Sequence, residues 1–210
     1  MAALYVLDFA LGHPFSGVKR LVDLDAEANI PTWYSSAQLL VLGLLLGVFA
    51  VVQLERGVPH AGALFALPIL CVLMSCDEVA QIHEWLGGWS DVFLPRETRE
   101  GTIFSVTGIW VFLFGPPFVA AVIVLWRRLA PFLKGRDRAI RLYVTGFVVY
   151  ATSALGIELL SNFVVPGSVA AMVQVLCEEI GEMLGVTLAI WATLEFLDSY
   201  GIRIRRPESA

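Results

Sequence analysis

The chain has 210 residues, 58% of them hydrophobic and 16% charged, with a mean hydropathy of +0.76 and a net charge of −5. Soluble domains average about 45–50% apolar and about 25% charged residues, so this balance excludes an ordinary water-soluble domain. No basic patch points to a nucleic-acid partner either.

The N-terminus, MAALYVLDFALGHPF, is apolar, but no Lys or Arg precedes the apolar stretch and Asp8 lies within it. It does not read as a cleavable signal peptide. The stretch VDLDAEANIPTWYSS combines acids, a Pro break and the Trp33–Tyr34 pair, and reads as a segment on the membrane surface with its rings at headgroup level. Residues 1–35 are taken together as this surface segment.

Five apolar runs follow, at 36–54, 61–86, 103–126, 142–165 and 168–197. Each is long enough to cross a bilayer, where only a helix satisfies its own backbone polar groups. Pro68 is expected to bend the second span, and Pro116 and Pro117 to kink the third. The predicted fold is all-α: a polytopic transmembrane bundle over 36–197, with 198–210 as a basic cytoplasmic tail. Counting Lys and Arg on each side gives four with the N-terminus and ten with the C-terminus. The positive-inside rule then predicts the N-terminus outside and the C-terminus in the cytoplasm.

Cys71, Cys76 and Cys177 all lie in apolar context and are expected as small buried side chains. His13 and His60 fall near the predicted membrane edges and read as interfacial. Trp110 and Trp126 read as core or belt residues, and Gly181 and Gly185 as positions of close helix packing.

The chemistry concentrates in acids within the spans. The second span carries Asp77, Glu78 and Glu84 with His83, the fourth carries Glu158, and the fifth carries Glu178, Glu179 and Glu182. Carboxylates at bilayer depth cost at least ~2.5 kcal/mol each to insert, so they are functional candidates by default. A rise of about 1.5 Å per residue puts Glu78, Glu158 and Glu178 roughly 10–15 Å below the same, outer end of their helices. On a continuous helix Asp77, Gln81 and Glu84 share a stripe with Glu78 beside it, while His83 points well away from Asp77. Gln174, Glu178 and Glu182 form a second stripe with Glu179 beside it, and Glu158 shares a face with Asn162. The predicted site therefore comprises Asp77, Glu78, His83, Glu84, Glu158, Glu178, Glu179 and Glu182, supported by Gln81, Asn162 and Gln174.

No Lys or Arg lies in the spans to neutralise these acids. A divalent metal ion is the preferred compensation. Oxygen ligands suit Ca, and His83 extends the choice to Fe, Mn or Zn. The paired Glu-x-x-His motifs of di-iron bundles are missing, although Glu179 and Glu182 keep the spacing. If the chain is an enzyme, the metal activates water or dioxygen against a lipid-soluble substrate, with one unligated carboxylate as general base. Three other readings stay open: a proton- or cation-translocating module, an accessory subunit of a larger membrane complex, and protonated acids that merely bond helices together. Expected partners are the lipid bilayer and either other membrane subunits or further copies of the chain.

NIPTWYSS, SCDEVAQIHE, the isolated Glu158 and CEEIGEMLG, in this order, resemble a family of uncharacterised bacterial multi-pass membrane proteins. That family has an N-x-P-T-W segment, a Ser-x-Asp-Glu block followed by His-Glu, and a late Glu-Glu-x-x-Glu block. The resemblance covers most of the chain and carries over to Asn29, Pro31, Thr32 and Trp33 besides Asp77, Glu78, His83, Glu84, Glu158, Glu178, Glu179 and Glu182. Cys76 stands where relatives have Leu. The resemblance implies a bacterial inner-membrane location and no particular activity.

Overall fold

The computed structural model describes residues 1–202 apart from 15, 100, 106, 108 and 109, and among these all regular structure is helical. Five helices are long and apolar enough to cross a membrane: Ile30–Glu55, Ala61–Ala80, Val111–Leu133, Asp137–Phe163 and Val169–Ser199. The described chain is thus an all-helical bundle compatible with a multi-pass membrane protein.

Two short helices, α1 (Ala2–Ala10) and α2 (Ser16–Val22), precede α3 (Ile30–Glu55). The first span starts earlier than its apolar run because Asn29 caps it. The Asn29 side-chain oxygen, Oδ1, accepts from the Thr32 amide at 3.1 Å, and a proline in the first turn needs no N–H partner there. NIPTWYSS therefore forms the cap and opening turns of α3.

The second span is shorter than predicted. A 3₁₀ turn (Ala61–Phe65) leads into α4 (Ala66–Ala80), and Gln81 then takes a left-handed backbone with φ 54°. Its N–H closes the helix on the Asp77 carbonyl at 2.7 Å, and α5 (Ile82–Phe93) begins afresh. After a single turn, α6 (Arg96–Arg99), α7 (Trp110–Leu133) runs on through Pro116, Pro117 and Pro131.

The fourth span is also interrupted. Here α8 (Asp137–Ala151) passes into a π-helical stretch, Thr152–Ile157, and then into a 3₁₀ stretch, Glu158–Phe163. Ser168 caps α9 (Val169–Ser199) by accepting from the Ala171 amide at 3.2 Å.

Cross-helix pairs define the packing. Ser36 meets Ser75 and Gly43 meets Cys71, so α3 and α4 are antiparallel. Gln38 reaches Thr187 and Phe49 stacks on Phe196, so α3 and α9 are parallel. Tyr143 bonds Thr193 while Gly146 meets Gly185, making α8 antiparallel to α9. Phe118 against Tyr150 and Trp126 against Tyr143 make α7 antiparallel to α8.

The core lies toward the end where α3 and α9 finish. Phe49, Leu133, Ala192 and Phe196 are fully buried there, with Phe132 and Tyr200 edge-on to Phe49. Arg136 lies 4.2 Å over the Tyr200 ring. Trp126 is thus a packed residue, whereas the side chain of Trp110 is outside the described residues. So is the tail from 203 to 210.

At the α8–α9 crossing a Cβ on Gly185 would sit 2.7 Å from the Gly146 carbonyl oxygen and 2.8 Å from Tyr150. A Cβ on Gly181 would collide with the Ser153 hydroxyl. Both glycines are therefore required for close approach. Of the cysteines, Cys71 is buried but Cys76 and Cys177 are exposed on their helices, contrary to expectation. They flank acids that face inward, so the helix period turns the thiols outward.

Candidate functional site

A cavity of about 330 Å³ lies toward the end of the bundle that carries the N-terminal helices. Asp77 and Glu78 line it from α4, His83 from α5, Glu158 from the 3₁₀ stretch, and Glu178, Glu179 and Glu182 from α9. Seven of the eight residues predicted as the site thus share one chamber. The eighth, Glu84, sits on α5, but its side chain is outside the described residues.

His83 arrives by a route that a continuous helix does not allow. The break at Gln81 turns α5 so that the His83 amide donates to Asp77 Oδ1 at 2.9 Å. The His83 Nδ1 lies 2.8 Å from Asp77 Oδ2. The imidazole therefore joins Asp77 instead of pointing away from it. Gln81 itself is not part of the chamber wall; its contribution is the backbone break.

Three further contacts order the acids. The Glu158 and Glu178 carboxyls are in hydrogen-bonding contact. One turn earlier on α9, the Gln174 side-chain amide donates to Glu178 Oε2 at 2.6 Å. Across the chamber the Ser35 hydroxyl bonds Glu78. Asn162 departs from its predicted supporting role. Its side chain accepts from the Thr107 amide at 3.2 Å and donates to the Leu159 carbonyl, so it pins the loop before α7.

Sequence reasoning missed Asp25 and Glu27, which close the chamber from the segment between α2 and α3. The signal was present in DAEANIPT, where the Asn29 cap does two jobs. Its amide group donates to the Asp23 and Ala26 carbonyls, folding residues 23–29 back over the start of α3. The Thr32 hydroxyl then donates to Glu27 Oε2 at 2.9 Å. Of the remaining residues in that block, Pro31 is buried while Trp33 is 67% exposed. Burial and the neighbouring Asp23 raise the Asp25 carboxyl above its ordinary range, with Lys19 opposing. Burial and the charges of Asp25, Asp23 and Glu179 push the Tyr5 phenol up to about 12.

His13 is likewise more than an edge residue, because its Nδ1 lies 2.5 Å from the buried Asp8 carboxyl. His60 is exposed with a left-handed backbone.

Among the described residues no group of three His, Cys, Asp or Glu side chains comes close enough to hold a metal ion. The compact ligand set expected from the sequence is thus replaced by pairs, Asp77 with His83 and Glu158 with Glu178, on the walls of a wider chamber. Among the described lining residues there are eight carboxylates and no Lys or Arg. Met74, Phe118 and Tyr150 also line a second cavity of about 230 Å³, whose walls are almost wholly apolar.

The chain belongs to the family described as Domain of unknown function (DUF8692), whose model matches residues 1–196. No curated protein and no solved structure matches the chain.

Proposed function

We propose that this member of the DUF8692 family is a multi-pass membrane protein whose acidic chamber binds a divalent cation for chemistry on a lipid-soluble substrate. One observation carries the reading: eight carboxylates and an imidazole, drawn from five separate segments, line a single cavity without a Lys or Arg among the described lining residues. A field of that sign draws in cations and concentrates them. The two preformed pairs are natural halves of a binding site. Because among the described residues no three of these side chains stand close enough as they are, a cation binds by drawing the pairs toward each other, taking oxygen ligands from Glu158, Glu178 and Asp77 and a nitrogen ligand from His83. Glu78, Glu179 and Glu182 remain as neighbours, and one left unligated serves as general base.

The Lys and Arg asymmetry of the loops supports a topology with the chamber near the outer leaflet and the C-terminus in the cytoplasm of a bacterial cell. Metal analysis after gentle, chelator-free purification in detergent tests the reading directly. About one equivalent of a divalent metal is expected, and only trace metal overturns it.

The interruptions at Gln81 and at Thr152–Ile157 favour a second reading, since broken helices mark ion sites in transporters. In that case Glu158→Gln and Glu178→Gln abolish cation or proton flux in proteoliposomes. The apolar cavity beyond Tyr150 argues the other way, because it gives an ion no polar partners on the way to the opposite end.

A further inference from the structure

We infer that the apolar cavity adjoining the acidic chamber is the seat of the hydrocarbon chain of a single-tailed amphiphile, whose non-anionic polar head lies among the carboxylates. The inference deepens the reading above by naming the substrate class, and rests on it for the chamber being a binding site. The two cavities are neighbours through shared walls. Met74 of α4, Phe118 of α7 and Tyr150 of α8 line both. On one side of these residues the lining is carboxylate; on the other it is Leu42, Leu70, Val122, Phe147 and similar groups.

That arrangement has the polarity of an amphiphile along its own length. The cavity opens at the bundle surface beside Ile123 and Val144, so a chain can enter from the side, and a hydrocarbon chain supplies dispersion contacts to the lining atoms without requiring any polar partner. The volume of about 230 Å³ suits one slender chain rather than two. Charge selects the head. An amine or hydroxyl finds acceptors among the acids, whereas an anion finds no Lys or Arg in the described lining and is repelled by the surrounding carboxylates. Tyr150 stands in the wall that the two share, with its ring packed against Phe118 at a centroid distance of 6.4 Å.

The test uses the full chain in lipid nanodiscs and three photoactivatable probes with the same medium-length alkyl tail. One bears an amine, one an alcohol and one a carboxylate. The expected result is saturable labelling of Val122, Phe147 and Met74 by the amine and the alcohol. The carboxylate probe should label these positions about tenfold less, equivalent to about 1.4 kcal/mol of binding. Val122→Trp, which fills the cavity, and independently Val144→Phe, should each lower the pocket labelling by a similar factor. Labelling spread evenly over outward-facing positions such as Leu44 and Val48, or equal labelling by the carboxylate probe, overturns the inference. So does pocket labelling that neither variant changes. Metal content is measured on the same samples. Pocket labelling without metal sinks the cation reading and upholds the amphiphile, while metal without pocket labelling does the reverse.

Discussion

The two ends of the bundle solve opposite problems with the same helices. At one end Phe49, Phe132, Phe196 and Tyr200 pack ring against ring, Tyr143 and Thr193 bond each other, and α3 and α9 run without interruption. At the other end α4 stops at Gln81, α8 dissolves into π and 3₁₀ turns, and like charges crowd a cavity. One half stores stability and the other spends it on a site, a division expected where activity demands a destabilised arrangement. π-helical turns are frequent at such positions.

Substitutions can break this contrast, starting with the crossing that joins the halves. Gly185→Leu drives a side chain into the Gly146 carbonyl and Tyr150, so it should cost more than about 4 kcal/mol and leave no monodisperse protein on size-exclusion chromatography. Phe196→Ala, in the packed half, should lower stability by about 3–5 kcal/mol, read as a lower melting temperature with metal content per folded molecule unchanged. The acidic half should respond with the other sign. Glu178→Gln relieves crowding at Glu158, so the metal-free protein gains about 1 kcal/mol while metal retention falls. A loss of stability in that variant would remove the contrast.

Smaller effects sharpen it. Gln81→Gly should be neutral or stabilising by less than about 1 kcal/mol, because glycine takes the left-handed backbone without strain, whereas Gln81→Val should be destabilising. The Tyr5 phenol gives the weakest signal, through pH. Its folded value of about 12 lies above the ordinary 10.0, so the folded state holds the proton more tightly and stability falls as pH rises between them. Tyr5→Phe should flatten that decline in alkaline melting curves.

Much of this was legible in the residues. Apolar run length marks the five spans, and the acids of α4 and α9 announce themselves by being in such runs at all. What failed was the assumption that each run is a single unbroken helix. Nothing in DEVAQIHE marks Gln81 as left-handed, since Gln has no preference for that backbone, and so His83 was aimed in the wrong direction. In TSALGIE the β-branched Thr152, Ser153 and Gly156 are weak helix formers, a signal too faint to specify a π turn. Asp25 and Glu27 lay outside every apolar run. Only the cap at Asn29, which binds backward to Asp23 and Ala26 as well as forward to Thr32, brings them over the chamber.

The position of α9 has a consequence for biosynthesis. It is the last of the five spans to leave the ribosome. It supplies Glu178, Glu179 and Glu182, the partner for Gly146, and the Val175 surface on which Tyr5 and Leu24 settle. A nascent chain that has emerged only through Glu158 has five of the eight chamber carboxylates but none of the wall that α9 supplies. The chamber, the α8–α9 crossing and the seat of the N-terminal helix are therefore all completed by one late event, the arrival of α9.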